Sequence, residues 1–189
     1  MPKVEIPPWQ ATRLVSPGPV GLVTVKYRDK VNLLPIGWTC ALSQNPPRIG
    51  IAVHPSRYSH DLLRRAGQFG LSIPGRALAE AVARAGATSG ASGVDKAALT
   101  GLTWAEPTEI DTPLIAEALA WLECVIVSVV DSGDHTLYVG EVQRAAAEAA
   151  AYQDGWLLPE DEEMRPLHHL GGSRYALLGG PFEVPISNP

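Results

Sequence analysis

The chain has 189 residues, a length that suits one domain able to bury roughly 70% of its unfolded surface. It is 46% hydrophobic and 19% charged, and 17 prolines with 18 glycines interrupt it often, which favours many short strands over a helical bundle. A formal net charge of −5 argues against a basic face for nucleic acid. We therefore expect one mainly β domain over residues 1–189 and no nucleic-acid partner.

The N-terminal sequence and the spacing of the two cysteines bear on the cellular location and the redox chemistry of the protein. The N-terminal stretch MPKVEIPPWQ lacks the basic and apolar regions of a signal peptide, and no apolar segment reaches ~18 residues without a charge. These features predict a cytoplasmic protein with no membrane partner. Cys40 and Cys124 lie far apart without CxxC or CxxH spacing, so neither a zinc site nor a dithiol motif is predicted. Any redox chemistry must then come from a bound cofactor.

The first half of the chain predicts short strands and two helices. Residues 1–16 hold several prolines around Trp9 and suit an extended arm that packs on the body or on a second subunit. Strand signals are short apolar or alternating runs between turn residues, at 20–27, 31–36, 48–54 and 68–73. Helix signals cover 59–66 and 77–85, which end at Gly67 and Gly86.

The second half is dominated by a predicted long hairpin. A short helix over 94–99 and a strand over 102–110, interrupted at Pro107, come first. Residues 119–131 and 135–143 then form the hairpin. Its first strand is expected to alternate strictly, with one face made of Leu122, Cys124, Ile126, Ser128 and Val130. Residues 144–151 are rich in alanine, a helix former, whereas residues 155–165 are polar and acidic and predict a solvated loop.

Residues 32–59 carry the main functional signal. The segment 38–43 combines one aromatic, two hydroxyls and small side chains, so a flat ligand could lie close to its backbone. We expect a loop here, followed by Pro46 and Pro47, which should end strand pairing. Residues 56–59 supply hydroxyls and a guanidinium just before a predicted helix. This pattern predicts a phosphate-binding site at the helix N-terminus. An ordinary strand end and an ordinary helix cap remain the alternatives for these two segments.

Further motifs follow in order along the chain: SIPG (72–75), SGASGVDKAALTGL (89–102), PLIAEALAWLEC (113–124), GDHTLYVGEV (133–142) and HLGGSRYALLG (169–179). Together with residues 32–59, this ordered set resembles the flavin reductase-like, FMN-binding split-barrel family, and its flavoredoxin-type branch in particular. The resemblance implies a mainly β fold with short helices, namely an antiparallel Greek-key split β-barrel that binds FMN. It also implies that residues 144–151 continue the strand before entering a loop.

The resemblance also implies a set of site residues. The cofactor-binding candidates are Trp38, Thr39, Cys40, Ala41, Leu42, Ser43, Arg57, Ser59, Ser89, Lys96, His169 and Tyr175. Arg57 and Ser59 correspond to positions that approach the flavin phosphate, and Lys96 could reach a phosphate as a point charge. The C-terminal extension, 152–189, is expected to pack near the cofactor, with residues 169–175 folded over it. Without the resemblance, Ser89 and Lys96 would be a mobile turn and a surface lysine.

His135 is the catalytic candidate. It follows a tight turn at the mouth of the long hairpin, where the resemblance places it near the flavin ring or the nicotinamide. The alternative is a turn histidine bonded to a backbone carbonyl. His168 and His169 are adjacent and point in opposite directions on an extended chain, so no metal site is predicted.

Three functions remain open, of which the last is a binding module that stores flavin without turnover. The first is an FMN-binding oxidoreductase of flavin reductase type that takes hydride from NAD(P)H. The second is a non-catalytic FMN electron carrier that a partner protein reduces. No GxGxxG, GxxxxGK[ST] or GxSxG motif supports a Rossmann, P-loop or hydrolase alternative. A homodimer is expected in either case.

Overall fold

The computed structural model describes residues 3–8 and 18–182. The main sheet contains β1 (Lys3–Ile6), β2 (Gly21–Tyr27), β3 (Lys30–Ile36), β4 (Thr39–Gln44), β5 (Pro47–Val53), β6 (Gln68–Ile73), β9 (Ala120–Ser132) and β10 (His135–Glu148). Two-stranded pairs are made by β7 (Trp104–Ala105) with β8 (Leu114–Ile115) and by β11 (His168–Gly171) with β12 (Arg174–Ala176). The helices are α1 (Tyr58–Ala66), α2 (Ala79–Ala87) and α3 (Lys96–Thr100), with 3-10 turns at Arg76–Leu78, Gly90–Ser92 and Glu162–Met164.

The main sheet is antiparallel, with strand order β3-β2-β6-β9-β10-β5-β4 and β1 paired to β10. Its two end strands, β3 and β4, are consecutive in the chain and are joined only by Gly37 and Trp38. Because so short a link must connect the two edges, the sheet curls round on itself and leaves a split where the edges meet. The structure thus confirms the predicted mainly β, split-barrel fold.

Strand β2 shows how the core is organised. Successive side chains of a strand point to opposite faces. Val23 and Val25 accordingly pack into one buried cluster with Phe69 and Tyr138, whereas Leu22 packs into a second cluster that includes Val82. The first cluster fills the barrel, and the second lies beneath α2. Residues on both faces of β2 are therefore buried, which explains its nearly continuous apolar sequence.

Several sequence predictions are confirmed. Strand β6 matches the predicted range 68–73, and the long hairpin forms as β9 and β10. The alanine-rich segment 144–151 is strand up to Glu148 and then leaves the sheet, although its intrinsic propensity favours helix. Pairing of Ala145 to Ala147 with both β9 and β1 outweighs that propensity, because their small side chains are completely enclosed.

The predicted strand over 102–110 is wrong. Only Trp104 and Ala105 of this range are strand residues. The N–H groups of Thr108, Glu109 and Ile110 instead donate to one carboxylate oxygen of the buried Glu123, at 2.9, 2.6 and 3.3 Å. A side chain therefore satisfies the backbone donors that a neighbouring strand would otherwise have paired.

The strict alternation predicted for β9 is also wrong beyond Ile126. Ile126 pairs with Gly140, and Ser128 pairs with Val139, so Val127 is an extra residue in a β-bulge. Since paired residues point to the same side of a sheet, the bulge turns Ser128 and Val130 to the face opposite Cys124 and Ile126. Val130 consequently lies on the outer face of the hairpin and is exposed.

The segment 38–43 is not a loop, contrary to expectation. Thr39 to Gln44 form the edge strand β4, which pairs with β5, and Pro47 begins β5 opposite Gln44. Prolines 46 and 47 therefore turn a hairpin and do not end strand pairing. Proline is tolerated at this position because it is the first residue of its strand.

The N-terminal strand β1 is fixed by a buried ion pair. Lys3 Nζ lies 2.7 Å from Glu148 Oε1, donates to the carbonyl oxygen of Ala118 at 2.6 Å and lies over the Trp121 ring. Arg144 of β10 adds a second contact to this strand through Glu5. Residues 3–6 of the predicted arm are thus a strand of the main sheet, whereas Trp9 falls outside the described residues.

Candidate functional site

Two adjoining cavities lie between the end of β3 and the turn that precedes α1. The larger has a volume of about 650 Å³ and the smaller about 400 Å³. Their shared wall contains Ile36 and Gly37 from the end of β3, together with Ser56 and Arg57 from the turn before α1. Both volumes fall in the range of small-molecule sites. Because Arg57 lines both cavities, a single ligand or two ligands in contact could occupy them.

The N-terminus of α1 forms one wall of the larger cavity. Arg57 occupies the N-cap position but gives no side-chain cap to this nine-residue helix. The His60 N–H donates to the Arg57 carbonyl oxygen, so the N–H groups of Tyr58 and Ser59 are the first-turn donors that face a ligand. The Arg57 side chain is exposed and its backbone is extended. A helix N-terminus with a neighbouring guanidinium favours an anion through both the helix dipole and charge-assisted hydrogen bonds.

Ser59 is held in place by a residue from the neighbouring strand. Its side chain is buried, and its Oγ accepts a hydrogen bond of 2.6 Å from Nδ2 of Asn32 in β3. The Ser59 hydroxyl remains able to donate. Asn32 therefore orients this hydroxyl toward an acceptor, and both side chains line the larger cavity.

Lys96 is buried, in contrast to the surface lysine that its local sequence suggests. It is 7% exposed, and its Nζ donates to the carbonyl oxygens of Leu33 and Ala85 at 3.0 Å each. Burial lowers the pKa of Lys96, and the positive charge of Arg57 lowers it further. Two of its three donors are used within the protein, so at most one is left for a ligand in the cavity.

The loop after α2 closes over the α1 N-terminus at Gly90. A Cβ atom at Gly90 would lie 2.2 Å from Asn32 Oδ1 and 2.7 Å from Tyr58 Cδ1, distances that no side chain allows. The absence of a side chain lets the loop approach and brings Ser89 to the cavity wall. We call the group Arg57, Ser59, Ser89 and Lys96 the anion end of the site.

Strands β11 and β12 cover the larger cavity as a small hairpin. His169 pairs with Tyr175 across the hairpin, and their ring centroids are 5.3 Å apart. The turn contains Gly171 and Gly172, both at positive φ, and the Gly172 carbonyl bonds His169 Nε2. The position of a Cβ on Gly37 would be 4.0 Å from His169 Nδ1, so the hairpin reaches the junction of the two cavities.

Three aromatic side chains line the smaller cavity. Trp38 is 64% exposed and its ring centroid lies 4.5 Å from that of His135, whereas His54 meets His135 edge-on at 5.2 Å. His135 Nδ1 is 2.7 Å from the Asp134 carboxylate, and this hydrogen bond lowers the pKa of Asp134. We call Trp38, His54 and His135 the ring end of the site.

The structure does not bring every predicted residue to a cavity. Arg57, Ser59, Ser89, Lys96, His169 and Tyr175 line the larger cavity, and Trp38, Arg57 and His135 line the smaller one. Thr39, Cys40, Ala41, Leu42 and Ser43 lie on edge strand β4, next to the smaller cavity in sequence but outside both cavity walls. Their role as cofactor-binding residues stays a prediction.

Sequence reasoning missed Asn32, Gly90 and His54. Asn32 and Gly90 are recognisable only through their contacts with Ser59 and Tyr58, which come from other elements. His54 offered a local signal, since it lies between the apolar run of β5 and the polar turn at Ser56. That position places a polar ring where a buried strand leaves the sheet.

Residues 13–174 match the model of the flavin reductase like domain family. The chain belongs to this family. An FMN-binding domain of a flavin reductases-like enzyme from Shewanella baltica OS155 superposes with a TM-score of 0.88, at 24% identity, over 97% of this chain and 98% of the other. Flavoredoxin from Methanosarcina acetivorans does so with a TM-score of 0.76, at 27% identity, over 88% and 87%.

Curated relatives with a stated activity include a flavin reductase. The NADH-dependent FAD reductase of Streptomyces globisporus is 31% identical over 135 residues, covering 70% of this chain and 72% of the relative. Family membership gives the chain a flavin-related oxidoreductase role in general terms, as the sequence predicted. Within residues 3–8 and 18–182, no helix is long and apolar enough to span a membrane.

Proposed function

We propose that the protein is an FMN-dependent oxidoreductase of flavin reductase type, in which NAD(P)H reduces the bound flavin. The observation that supports it best is the junction at Arg57, where an anion end opens directly into a ring-lined cavity. FMN has this shape, a phosphate joined by a short chain to a planar ring system. When bound, FMN would accept a hydride from NAD(P)H and a proton from solvent, which yields reduced flavin and NAD(P)+.

The residues of the anion end fit the phosphate group. Arg57 and the first-turn N–H groups of α1 supply donors, Ser59 adds a hydroxyl that Asn32 orients, and Lys96 adds a buried positive charge. Four kinds of donor thus converge on one end of a cavity of about 650 Å³. Together these donors would give FMN a higher affinity than riboflavin, which carries no phosphate.

At the ring end, His135 is the residue we assign to the reaction itself. Asp134 binds its Nδ1, so Nε2 is the nitrogen left for a ligand in the smaller cavity. A nicotinamide must approach within about 3–3.5 Å of the flavin, and the exposed Trp38 edge leaves this side of the site open. The hairpin β11–β12 is the segment that would move to admit or release a ligand.

The experiment begins with the purified protein. It should be yellow and hold about one FMN per chain, and anaerobic mixing with NADH or NADPH should bleach the flavin at a saturable rate. His135→Ala should slow that step by about tenfold or more while FMN stays bound. Protein that fails to quench flavin fluorescence at micromolar FMN would contradict the proposal at its first step.

A carrier function is the second candidate. The similarity to a flavoredoxin, at 27% identity over most of both chains, favours it. A carrier would be bleached by dithionite or by a partner reductase but hardly by either nicotinamide nucleotide. Under that function, His135→Ala would leave the slow background reduction unchanged. Bleaching by neither nucleotide at millimolar concentration would therefore replace the reductase with the carrier.

We also propose that the protein is a homodimer and acts in the cytoplasm. The outer face of the sheet carries Leu42, Val125 and Val130, which are all exposed, and Cys40 lies beside Leu42 over Gly50. A patch of this kind on a sheet face is typical of a protein interface. Light scattering should give twice the chain mass, and Val130→Glu should shift it toward the monomer. A monomeric wild-type protein would contradict the dimer without affecting the proposed chemistry.

A further inference from the structure

His60 lies in the first turn of α1, directly after Ser59, but it lines neither cavity. Its backbone N–H donates to the Arg57 carbonyl oxygen at 2.9 Å. Its own carbonyl oxygen accepts from the Tyr138 hydroxyl at 2.8 Å, and its Nε2 lies 2.9 Å from Thr136 Oγ1. The last two partners belong to β10. His60 therefore connects the anion end of the site to the long hairpin.

The direction of the side-chain hydrogen bond follows from a third group. Thr136 Oγ1 also lies 3.1 Å from a carboxylate oxygen of Asp131, which can only accept. The Thr136 hydroxyl therefore donates to Asp131 and accepts from His60. Burial lowers the pKa of His60 below its ordinary value of 6.5, and the positive charge of Arg64 lowers it further, so the ring is neutral at pH 7. Its single proton accordingly resides on Nε2.

The surface of β10 that receives His60 is a rigid one. Thr136 is 2% exposed, and Tyr138 is completely buried within the barrel cluster. The Tyr138 ring also meets the His60 ring edge-on, with centroids 5.6 Å apart. Because β10 is paired on both sides here, with β5 and with β9, its position is fixed by two ladders of backbone hydrogen bonds.

The first turn of α1 is thus attached to two different strands. Ser59 is bonded to Asn32 of β3, and the next residue, His60, is bonded to β10. Successive side chains of a helix point about 100° apart around its axis. Two attachments at that angle prevent the turn from rotating about the axis. The N–H groups of Tyr58 and Ser59 consequently keep one direction.

We infer that His60, through Thr136 and Tyr138, is a positioning residue for the phosphate group of the flavin. It touches no ligand, but it fixes the turn that carries the phosphate donors, and its N–H fixes the carbonyl group of Arg57. This inference rests on the proposed function, since the anion is the phosphate of FMN. A residue that acts in this way should affect the affinity for FMN and spare the affinity for riboflavin.

Fluorescence-quenching titrations with FMN and with riboflavin test the inference, beside denaturant unfolding of each variant. His60→Leu removes the side-chain donor, and Thr136→Val removes its acceptor at nearly constant volume. Each change should lower the ratio of FMN affinity to riboflavin affinity by about three- to tenfold, the worth of one hydrogen bond. The riboflavin affinity itself should stay nearly constant.

Conservative variants and a matched control sharpen the test. His60→Gln and Thr136→Ser keep a donor and an acceptor, so each should retain most of the wild-type ratio. Thr24→Val is the control, because it also removes a buried hydroxyl of the main sheet, one that donates to the Pro113 carbonyl oxygen and lines neither cavity. Thr24→Val should lower the midpoint of unfolding and leave the affinity ratio unchanged.

The outcomes separate the inference from the proposed function. A wild-type ratio in both His60→Leu and Thr136→Val, with a lower midpoint of unfolding, would make these contacts purely structural and overturn the positioning role. An equal fall of the ratio in Thr24→Val would overturn it as well. If His60→Leu does not fold, Thr136→Val decides. Wild-type protein that binds neither flavin overturns the proposed function together with the inference.

Discussion

The anion end and the ring end of the site are constructed by different means. At the anion end, contacts from distant parts of the chain hold the groups: Asn32 of β3 orients Ser59 of α1, and the carbonyls of Leu33 and Ala85 hold Lys96. At the ring end, Trp38, His54 and His135 rely on ring contacts and on bonds to adjacent residues. We infer that the first end determines affinity and the second determines what reacts.

The largest expected effect comes from the close packing at Gly90. Gly90→Ala places a Cβ against Asn32 and Tyr58, so the loop must move away from α1. The free energy of unfolding should fall by about 1 to 3 kcal/mol, and FMN affinity should fall with it. Denaturant unfolding and FMN titration measure both.

Gly86→Ala is the matched control for this change. It lies nearby in α2, and its nearest neighbour to an added Cβ is Pro35 at 3.9 Å. Alanine in a helix should raise stability here by about 0.5 to 1 kcal/mol. A similar loss of stability in both variants would remove the special role of Gly90.

Arg57→Ala should weaken FMN binding by about tenfold and leave riboflavin binding nearly unchanged. A charge-assisted hydrogen bond to phosphate is worth roughly 1.5 to 3 kcal/mol, and the lower end applies because Arg57 is exposed to solvent. Fluorescence quenching with the two flavins measures the difference. Arg65→Ala, on the same helix but paired with Asp61, is the control and should change neither affinity. Equal losses for FMN and riboflavin would place Arg57 away from the phosphate.

The lowered pKa of Lys96 predicts that the preference for FMN over riboflavin depends on pH. Because burial, aided by Arg57, lowers its pKa from 10.5, the folded protein loses this proton before an ordinary lysine would. The preference for FMN over riboflavin should therefore decline by about three- to tenfold as pH rises toward 10.5. In the same window the Lys96 contribution to the free energy of unfolding becomes more favourable as pH rises, since the unfolded chain then binds the additional proton.

Lys96→Arg tests the assignment of that titration. The guanidinium stays charged beyond pH 12, so the FMN preference of a folded Lys96→Arg variant should no longer decline over this range. A decline that persists in Lys96→Arg would assign the titration to another group.

The smallest effect is expected at the ring end. Asp134 is largely exposed, so its hydrogen bond to His135 is weakened by solvent. Asp134→Asn should slow reduction by nicotinamide nucleotides by less than about fivefold and leave FMN affinity unchanged. Stopped-flow reduction beside FMN titration separates the two quantities. A loss of FMN affinity in this variant would contradict the division between the two ends.

The sequence predicted the barrel better than the site because the two depend on different information. A strand such as β6 is recognisable from its local apolar pattern and the turns on either side of it. Its predicted range, 68–73, matches the structure. The helix start at Arg57 was also recognisable locally. Asn32 and Gly90 matter only because distant residues meet them in the fold. The strand predicted over 102–110 failed for the same reason, because its backbone partner is the distant Glu123.

The buried pair between Lys3 and Glu148 joins residues 145 positions apart in the sequence. Proteolysis that removed the first six residues would leave the Glu148 carboxylate enclosed with no cation, a change that costs roughly 3 to 5 kcal/mol in buried pairs. The short leading segment, which resembles a dispensable tail, is therefore part of the cooperative folding unit. Limited proteolysis within β1 should therefore report global unfolding.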